Sequence, residues 1–161
     1  MPEFTHFDKQ GNATMVDVSE KGQSVRQAIA TGSIKMCAEC YQAVRQGSIM
    51  KGDVAGVARV AGIMATKQTG TLIPLCHPLS IEQASIDFDF VDEPCTITAR
   101  CRVKTTGATG VEMEALTGVT VALLTIYDMC KALDKGMEIF DVYLLEKSGG
   151  RSGLYRNEKR G

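Results

Sequence analysis

Two neighbouring strands stand out in the middle of the chain, because apolar and polar residues alternate there. In residues 83–91, the apolar side chains Ile86, Phe88 and Phe90 share one face, and aspartates occupy the other. Residues 95–104 alternate more cleanly, with apolar residues at odd positions and threonine or basic residues at even ones. Such alternation is typical of strands with one buried face. The Asp-Glu-Pro segment between the two runs predicts a tight hairpin.

Other stretches have the spacing of helices. The pattern predicts a short helix over residues 36–46 and a second over 53–67, which begins at Asp53, a residue type preferred at N-caps. The second is rich in alanine and glycine, which suits close packing against a neighbour. The longest predicted helix spans 111–133, and residues 115–127 within it carry no charge. A helix that is apolar nearly all round must be covered on more than one side, so we expect another subunit to cover one of them.

One more strand is predicted over residues 137–146. The order of helices, hairpin, helix and strand indicates an α+β fold, with an antiparallel sheet and helices packed on one face. A length of 161 residues favours a single domain. Residues 1–14 are polar and lack periodicity, which predicts a loose N-terminal arm; residues 147–161 are basic and rich in glycine, which predicts a mobile tail.

The net charge and its distribution along the chain bear on which classes of protein are plausible. The chain has 18 Lys and Arg against 19 Asp and Glu, a net charge of −1 that gives no case for a nucleic-acid binder. The distribution is uneven, because the predicted tail carries +4 and the rest −5. No secretory pattern begins the sequence, and no uncharged apolar stretch approaches about 18 residues. We therefore expect a cytoplasmic protein that crosses no membrane and keeps its six cysteines as free thiols.

The first candidate site is the loop at residues 72–79, which reads Leu-Ile-Pro-Leu-Cys-His-Pro-Leu. Residues before proline are driven to extended conformations, so Ile73 and His77 are held out of helix. A stiff loop of this kind presents Cys76 and His77 to a ligand. A structural loop with a buried histidine is an alternative of equal weight.

The second candidate site is the turn at residues 106–114, where two glycines and two threonines lead into the long helix. Backbone amides at a helix N-terminus attract anions, so the turn is a candidate phosphate cradle, although it lacks the P-loop pattern. For this motif alone, plain capping is the favoured interpretation. Thr109 would then be the cap, and Glu112 and Glu114 would complement the helix dipole.

Charged residues near the end of the long helix form the third candidate. Asp128 and Lys131 share one helical face, where burial would tune them for proton transfer; a solvated ion pair is the plainer alternative. Glu114 and Asp128 are fourteen residues apart in sequence, roughly 21 Å along a helix. A site that uses both must therefore combine two subunits. Lys51, just before the second predicted helix, is a further candidate, with a surface lysine as its alternative.

The cysteines suggest a different class of site. Cys37 and Cys40 form a C-x-x-C pair, which is found in zinc and thiol-redox proteins. A zinc site needs a second pair or suitably spaced histidines, and neither is present. The expected strand-to-helix context of a redox dithiol is also absent. We therefore expect no metal ligand and keep a zinc or thiol-redox protein as a minor alternative.

Six motifs in this chain, taken together, resemble the MoaC family of molybdenum cofactor biosynthesis, the cyclic pyranopterin monophosphate synthases. They occur in the family's order, and the chain length matches. They are MVDVS (15–19), KGDV (51–54), LIPLCHPL (72–79), TGVEMEALT (109–117), LTIYDMCKA (124–132) and KSGGRSG (147–153). One departure lies in the last motif, where Arg151 stands at a position that is commonly lysine.

The resemblance implies a ferredoxin-like subunit in a homohexamer, a trimer of dimers with sites at subunit interfaces. It implies a lyase that converts 3′,8-cyclo-7,8-dihydroguanosine 5′-triphosphate to cyclic pyranopterin monophosphate and pyrophosphate. Its catalytic positions correspond to Asp128, Lys51 and Lys131. Its substrate-binding positions correspond to Leu75, Cys76, His77, Met113 and Glu114, and further pocket positions to Arg26, Thr109 and Glu112.

The resemblance implies no resident cofactor, and a Mg²⁺ ion accompanying the triphosphate stays an open alternative. Arg26 and the basic tail are the candidates for triphosphate contacts. Lys51 and Lys131 would relay protons if burial lowered their pKa, and would otherwise stabilise phosphate charge. A non-catalytic module that binds a nucleotide or a pterin is the main competing hypothesis.

Overall fold

Five strands and four helices make up the described part of the chain, residues 6–158 of a computed structural model. The elements, in chain order, are β1 (Ser24–Lys35), α1 (Ala38–Arg45), α2 (Val54–Thr66), α3 (Thr69–Leu72), β2 (Gln83–Val91), β3 (Thr96–Gly107), α4 (Glu112–Cys130), β4 (Glu138–Ser148) and β5 (Tyr155–Arg156).

The strands form one antiparallel sheet in the order β2-β3-β1-β4-β5. Helix α4 packs against β1, β3 and β4, and α2 packs against α4 and β2. The first four strands with their two helical connections follow the β-α-β-β-α-β order of ferredoxin-like folds. The predicted α+β class, an antiparallel sheet with helices on one face, is confirmed.

Strand β1 was not predicted, although it is the central strand of the sheet. Ala28, Ala30 and Ile34 are fully buried, and the intervening Thr31 and Ser33 are also buried. A strand covered on both faces has no alternation of apolar and polar residues. Its alanine, glycine and serine residues also have weak strand propensity. The chain therefore begins its fold with a strand, and the predicted order that began with helices is wrong there.

The remaining elements lie close to their predicted positions. The hairpin is confirmed, with Val91 opposite Thr96 in the register of β2 and β3. Helix α2 begins after Asp53, whose Oδ1 accepts a hydrogen bond of 2.9 Å from the backbone N–H of Gly56. Helix α4 ends three residues before its predicted limit, at Cys130. The single-turn helix α3 was not predicted, since four residues are too few to show helical periodicity.

Glycines set the approach of α2 to α4. A Cβ atom added at Gly62 would lie 2.7 Å from the backbone oxygen of Gly118 and 3.0 Å from the Cβ of Ala122. One added at Gly118 would lie 2.7 Å from the sulfur of Cys101 on β3. The two helices therefore cross with their backbones close together. This geometry explains why α2 is rich in small residues.

Helix α4 is also long and apolar enough to cross a membrane by length and composition. Half of it is buried within the protein, and Val119, Ala122, Leu123 and Ile126 lie in the core between the sheet and α2. The core helix of a globular protein has the same composition. The packing observed here is that of a core helix.

The two predicted terminal segments contain some order. In the N-terminal arm, Phe7 forms an isolated bridge with Ala13. At the other end, Lys147 and Ser148 complete β4, and β5 pairs with β4. The predicted boundary at residue 147 therefore cuts through a strand, while the mobility of the tail stays a prediction. The parts of these predictions that fall on residues 1–5 and 159–161 lie outside the described residues.

Candidate active site

A cleft of about 270 Å³ opens where the proline-bracketed loop meets the start of α4. The loop follows α3, and Ile73 at its beginning is extended, as its position before proline predicts. Seven of the predicted substrate-binding residues line this cleft, namely Leu75, Cys76, His77, Thr109, Glu112, Met113 and Glu114. We call it the ring cleft. The structure thus brings two separate sequence motifs together, while their binding roles stay predictions.

A contact with a distant segment of the chain orients the loop of the ring cleft. The Nε2 atom of His77 lies 2.8 Å from the backbone oxygen of Val16. A carbonyl oxygen only accepts hydrogen bonds, so Nε2 carries the proton in this contact. Burial raises the pKa of the Cys76 thiol, so this residue stays neutral near pH 7. Cys76 therefore contributes shape to the cleft wall rather than a thiolate.

The most perturbed carboxyl group of the ring cleft belongs to Glu114, which is only 4% exposed. Burial, together with a smaller effect of the nearby charge of Glu112, raises its pKa to about 7. Glu112 is itself 3.8 Å from Nζ of Lys147, measured from its Oε1 atom. The ring cleft therefore holds two different carboxyl groups. Glu114 is able to gain or lose a proton near pH 7, whereas Glu112 is paired with the ammonium group of Lys147.

Thr109 does not cap α4. Val111 occupies the N-cap position, and no side chain makes a cap hydrogen bond there. The capping interpretation of Thr109 is therefore wrong, and its side chain belongs to the cleft wall instead. Glu112 and Glu114 do lie in the first turn, as predicted.

A second cleft, of about 560 Å³, adjoins the first and is strongly basic. We call it the phosphate cleft. Its lining includes Lys21, Arg26 and Arg151, and no acidic residue. Arg26 donates a hydrogen bond of 3.1 Å from Nη2 to the backbone oxygen of Ala108. Its Nε atom and the Oγ atom of Ser24 are buried and have no hydrogen-bond partner among residues 6–158. Buried donors without partners are costly, so these groups are available to a bound anion.

The three predicted catalytic residues meet at the far end of α4. Lys131 Nζ lies 2.7 Å from Asp128 Oδ1. Lys51 Nζ lies 3.8 Å from Asp128 Oδ2 and donates a hydrogen bond of 3.0 Å to the backbone oxygen of Asp128. Lys51 reaches this position because it stands in the turn just before α2. We call these three residues the lysine–aspartate cluster.

Ion pairing, and not burial, governs the pKa values of this cluster. The hydrogen bond from Lys131 lowers the pKa of Asp128, and the charge of Lys51 lowers it further. The same hydrogen bond raises the pKa of Lys131. The side chains of Asp128 and Lys131 are 62% and 53% exposed in the single chain. Burial therefore does not lower the pKa of Lys131, because the ion pair with Asp128 dominates over desolvation, and the geometry fits the solvent-exposed ion pair that the sequence left as the plainer alternative.

The cysteines form no comparable site. All six are free thiols, as predicted. Cys37 is exposed, whereas Cys40 is buried, and burial raises its pKa to about 12. Between residues 6 and 158, no group of three or more His, Cys, Asp or Glu side chains is arranged to hold a metal ion. The zinc alternative therefore gains no support from the geometry.

Sequence reasoning missed part of the clefts. Lys21 lines both of them, and Ser24 lines the phosphate cleft. The segment that carries Lys21 joins the site through the contact between Val16 and His77, which are 61 residues apart. A pattern of neighbouring residues in the sequence does not predict a contact between segments so far apart. The MVDVS motif at residues 15–19 was the only signal that pointed to this part of the chain.

The chain folds into a small α+β protein in which a basic cleft adjoins a cleft lined by two carboxyl groups. The chain belongs to the MoaC family, whose model matches residues 15–150.

The chain is also similar to named proteins of bacteria. It is 56% identical over 155 residues to a protein of Clostridium botulinum, and the alignment covers 96% of this chain and 98% of the relative. It is 55% identical over 159 residues to one of Heliobacterium modesticaldum, covering 99% and 100%. It is 57% identical over 156 residues to one of Desulfitobacterium hafniense, covering 97% and 95%. Each relative is named cyclic pyranopterin monophosphate synthase.

Proposed function

We propose that this chain is a cyclic pyranopterin monophosphate synthase, a lyase of molybdenum cofactor biosynthesis. Its substrate would be 3′,8-cyclo-7,8-dihydroguanosine 5′-triphosphate, and its products cyclic pyranopterin monophosphate and pyrophosphate. The observation that carries the proposal is identity of 55–57% over nearly the whole chain to relatives of that name. The two adjoining clefts support it, since one suits a ring and the other a polyanion.

The ring cleft supplies hydrogen bonds to the base and sugar. Glu114 is able to donate a hydrogen bond when protonated and accept one when charged. A group whose pKa is about 7 is suited to exchange protons near neutral pH. Opening the purine-derived ring and re-forming it as a pterin needs several proton transfers. We assign Glu114 to binding a ring edge, together with His77 and Met113.

The lysine–aspartate cluster supplies the catalytic groups. Asp128 is ionised because two lysines lie beside it, and it is able to accept a proton or orient Lys131. Lys131 is held in its charged form by Asp128, which suits stabilisation of a phosphate or donation of a proton. Lys51 is assigned to proton transfer or charge stabilisation at the same place. Which lysine acts as acid and which as base stays open.

We further propose a homohexamer, a trimer of dimers, with sites at subunit interfaces. The ring cleft and the lysine–aspartate cluster lie at opposite ends of α4, roughly 21 Å apart along its axis for fourteen residues. A small substrate reaches both only if two subunits contribute. Exposed apolar side chains on the outer faces of α2 and α4 also favour burial by another subunit, namely Val57, Val60, Met64 and Leu124. Light scattering should report about six subunits.

The protein is expected to act in the cytoplasm, on a small nucleotide-derived substrate, without nucleic acid or membrane. A Mg²⁺ ion bound to the triphosphate stays an alternative, since such ions commonly accompany substrate phosphates. Turnover measured with and without a chelator decides it. Equal turnover would show that no ion is required.

The test of the function is pyrophosphate release from the cyclic dihydroguanosine triphosphate. Wild type should release pyrophosphate, and Lys51→Ala should lose activity by about 100-fold or more, because acid–base groups contribute that much. Lys9→Ala, a change of an exposed lysine outside the clefts, is the control and should match wild type. Binding of the substrate without any release would instead favour the non-catalytic binding module. Normal turnover by Lys51→Ala would show that its assigned role is wrong.

A further inference from the structure

Lys21 is the one residue that lines both the ring cleft and the phosphate cleft. The described linings of these two clefts share no other residue. The side chain of Lys21 therefore stands at the passage between them. Any molecule that occupies both clefts at once must pass this ammonium group.

The backbone around Lys21 is fixed by three hydrogen bonds. Its N–H donates to the backbone oxygen of Val18 over 3.0 Å. The carboxylate of Asp17 accepts from the N–H of Ser19 over 2.9 Å. The Nε2–H group of His77 donates to the oxygen of Val16, which ties the whole turn to the ring cleft. This turn holds the Cα of Lys21 at the junction before any ligand binds.

No carboxylate between residues 6 and 158 forms an ion pair with Lys21. The ion pairs formed within residues 6–158 involve Arg45, Lys51, Arg100, Lys131, Lys147 and Arg156, but not Lys21. An unpaired ammonium group at the mouth of two clefts, next to buried donors without partners on Ser24 and Arg26, is arranged to receive an anion.

The proposed substrate joins a ring system to a chain of three phosphates, and the α-phosphate is the link between them. If the ring occupies the ring cleft, the β- and γ-phosphates extend into the phosphate cleft. The α-phosphate then lies at the junction. This placement rests on the proposed function.

We infer that Lys21 binds the α-phosphate and stabilises the charge that develops when the cyclic phosphate closes. In that step a sugar hydroxyl oxygen forms a bond to the α-phosphorus, and its proton passes to solvent. The bond from the α-phosphorus to the oxygen bridging to the β-phosphorus breaks, and its electron pair leaves with pyrophosphate. Lys21 acts as a fixed positive charge on the phosphoryl oxygens.

The test compares Lys21→Ala and Lys21→Arg with the control Lys9→Ala. Binding of guanosine and of guanosine 5′-monophosphate is measured by titration calorimetry, since the two ligands differ only in the α-phosphate. Lys21→Ala should weaken binding of the monophosphate by about 10- to 100-fold, the range for a hydrogen bond to a charged group, and leave guanosine unchanged. Lys21→Arg should restore most of the loss. Arg151→Ala should weaken binding of inorganic tripolyphosphate more than binding of the monophosphate.

Turnover provides the second readout. Removing a donor that stabilises developing charge lowers kcat by about 100- to 1,000-fold, so Lys21→Ala should lose kcat more than it raises KM. Equal affinity of wild type and Lys21→Ala for the monophosphate would overturn the inference. So would an unchanged kcat. If wild type fails to release pyrophosphate while monophosphate binding still depends on Lys21, the phosphate contact stands and the proposed function fails.

Discussion

The two ends of α4 present the same type of side chain in opposite electrostatic states. At the N-terminal end, Glu114 is buried, and burial raises its pKa to about 7. At the C-terminal end, Asp128 is exposed between two lysines, which lower its pKa. Desolvation dominates at one end and charge pairing at the other. One helix therefore carries a carboxyl group able to exchange a proton near pH 7 and another that stays charged.

The largest expected effect is on the charged end. Asp128→Asn removes the partner of both lysines and should lower the rate of pyrophosphate release by about 100- to 10,000-fold. Asp89→Asn is the matched control, because Asp89 is also paired with a basic residue and its side chain is 61% exposed against 62% for Asp128. The control should keep full turnover. Comparable losses in both variants would mean that Asp128 contributes only general surface charge.

The second prediction asks whether the two ends belong to one site. Glu114→Ala and Asp128→Ala should each abolish most of the turnover. Co-expressed in mixed oligomers, they should recover about a quarter of wild-type activity, because random assembly pairs an intact N-terminal end with an intact C-terminal end at that frequency. Separately purified variants combined without subunit exchange are the control. No recovery in mixed oligomers would contradict sites built from two subunits.

The third prediction concerns the buried end and stability. The pKa of Glu114 is about 7 in the folded protein, above its ordinary value of 4.5, so folding favours the protonated form. Stability is therefore complete below about pH 4.5 and falls as pH rises towards 7, where the folded state must hold a buried charge. Glu114→Gln should remove this loss, and be more stable than wild type at pH 8 by about 3 kcal/mol.

Urea unfolding at pH 5 and pH 8 measures this effect. Wild type and Glu114→Gln should differ more at pH 8 than at pH 5. Glu82→Gln, at an exposed glutamate outside the ring cleft, controls for the loss of a carboxylate. An equal difference between wild type and Glu114→Gln at both pH values would show that the pKa of Glu114 is not raised by burial.

The smallest expected effect lies outside this comparison. The double variant Cys37→Ser/Cys40→Ser should keep wild-type turnover and contain no metal, because neither thiol lines the ring cleft or the phosphate cleft or contacts the lysine–aspartate cluster. Activity and metal analysis check this directly. Loss of turnover in a variant that stays folded would revive the thiol-redox alternative.

The contrast between β1 and β3 shows which parts of the fold are visible in a sequence. Strand β3 was predicted because Arg100 and Arg102 stay exposed to solvent or half-buried while Ala99 and Cys101 are buried, which produces alternation. Strand β1 lies beside it and is more central to the sheet. It was missed because burial on both faces removes the polar positions that periodicity depends on.

The candidate site also has a part that the sequence predicts and a part that it does not. Motifs predicted the residues of the ring cleft and the lysine–aspartate cluster, and the helical spacing of Glu114 and Asp128 indicated that they are far apart. Lys21 was not predicted, because its place depends on a hydrogen bond between segments distant in sequence. The sequence left the direction of the pKa shift of Lys131 open, because that direction depends on burial and on the partner of the side chain, which here is Asp128 at 2.7 Å.

The glycine crossing between α2 and α4 has a consequence beyond packing. Lys51 is carried by the turn before α2, and Asp128 by the last turns of α4. The distance between Lys51 and Asp128 therefore depends on the separation of the two helices, which Gly62 and Gly118 determine. The two helices come closest at these glycines, which have no side chains to hold them apart. A methyl group added at either glycine would push the two helices apart and so move Lys51 away from Asp128.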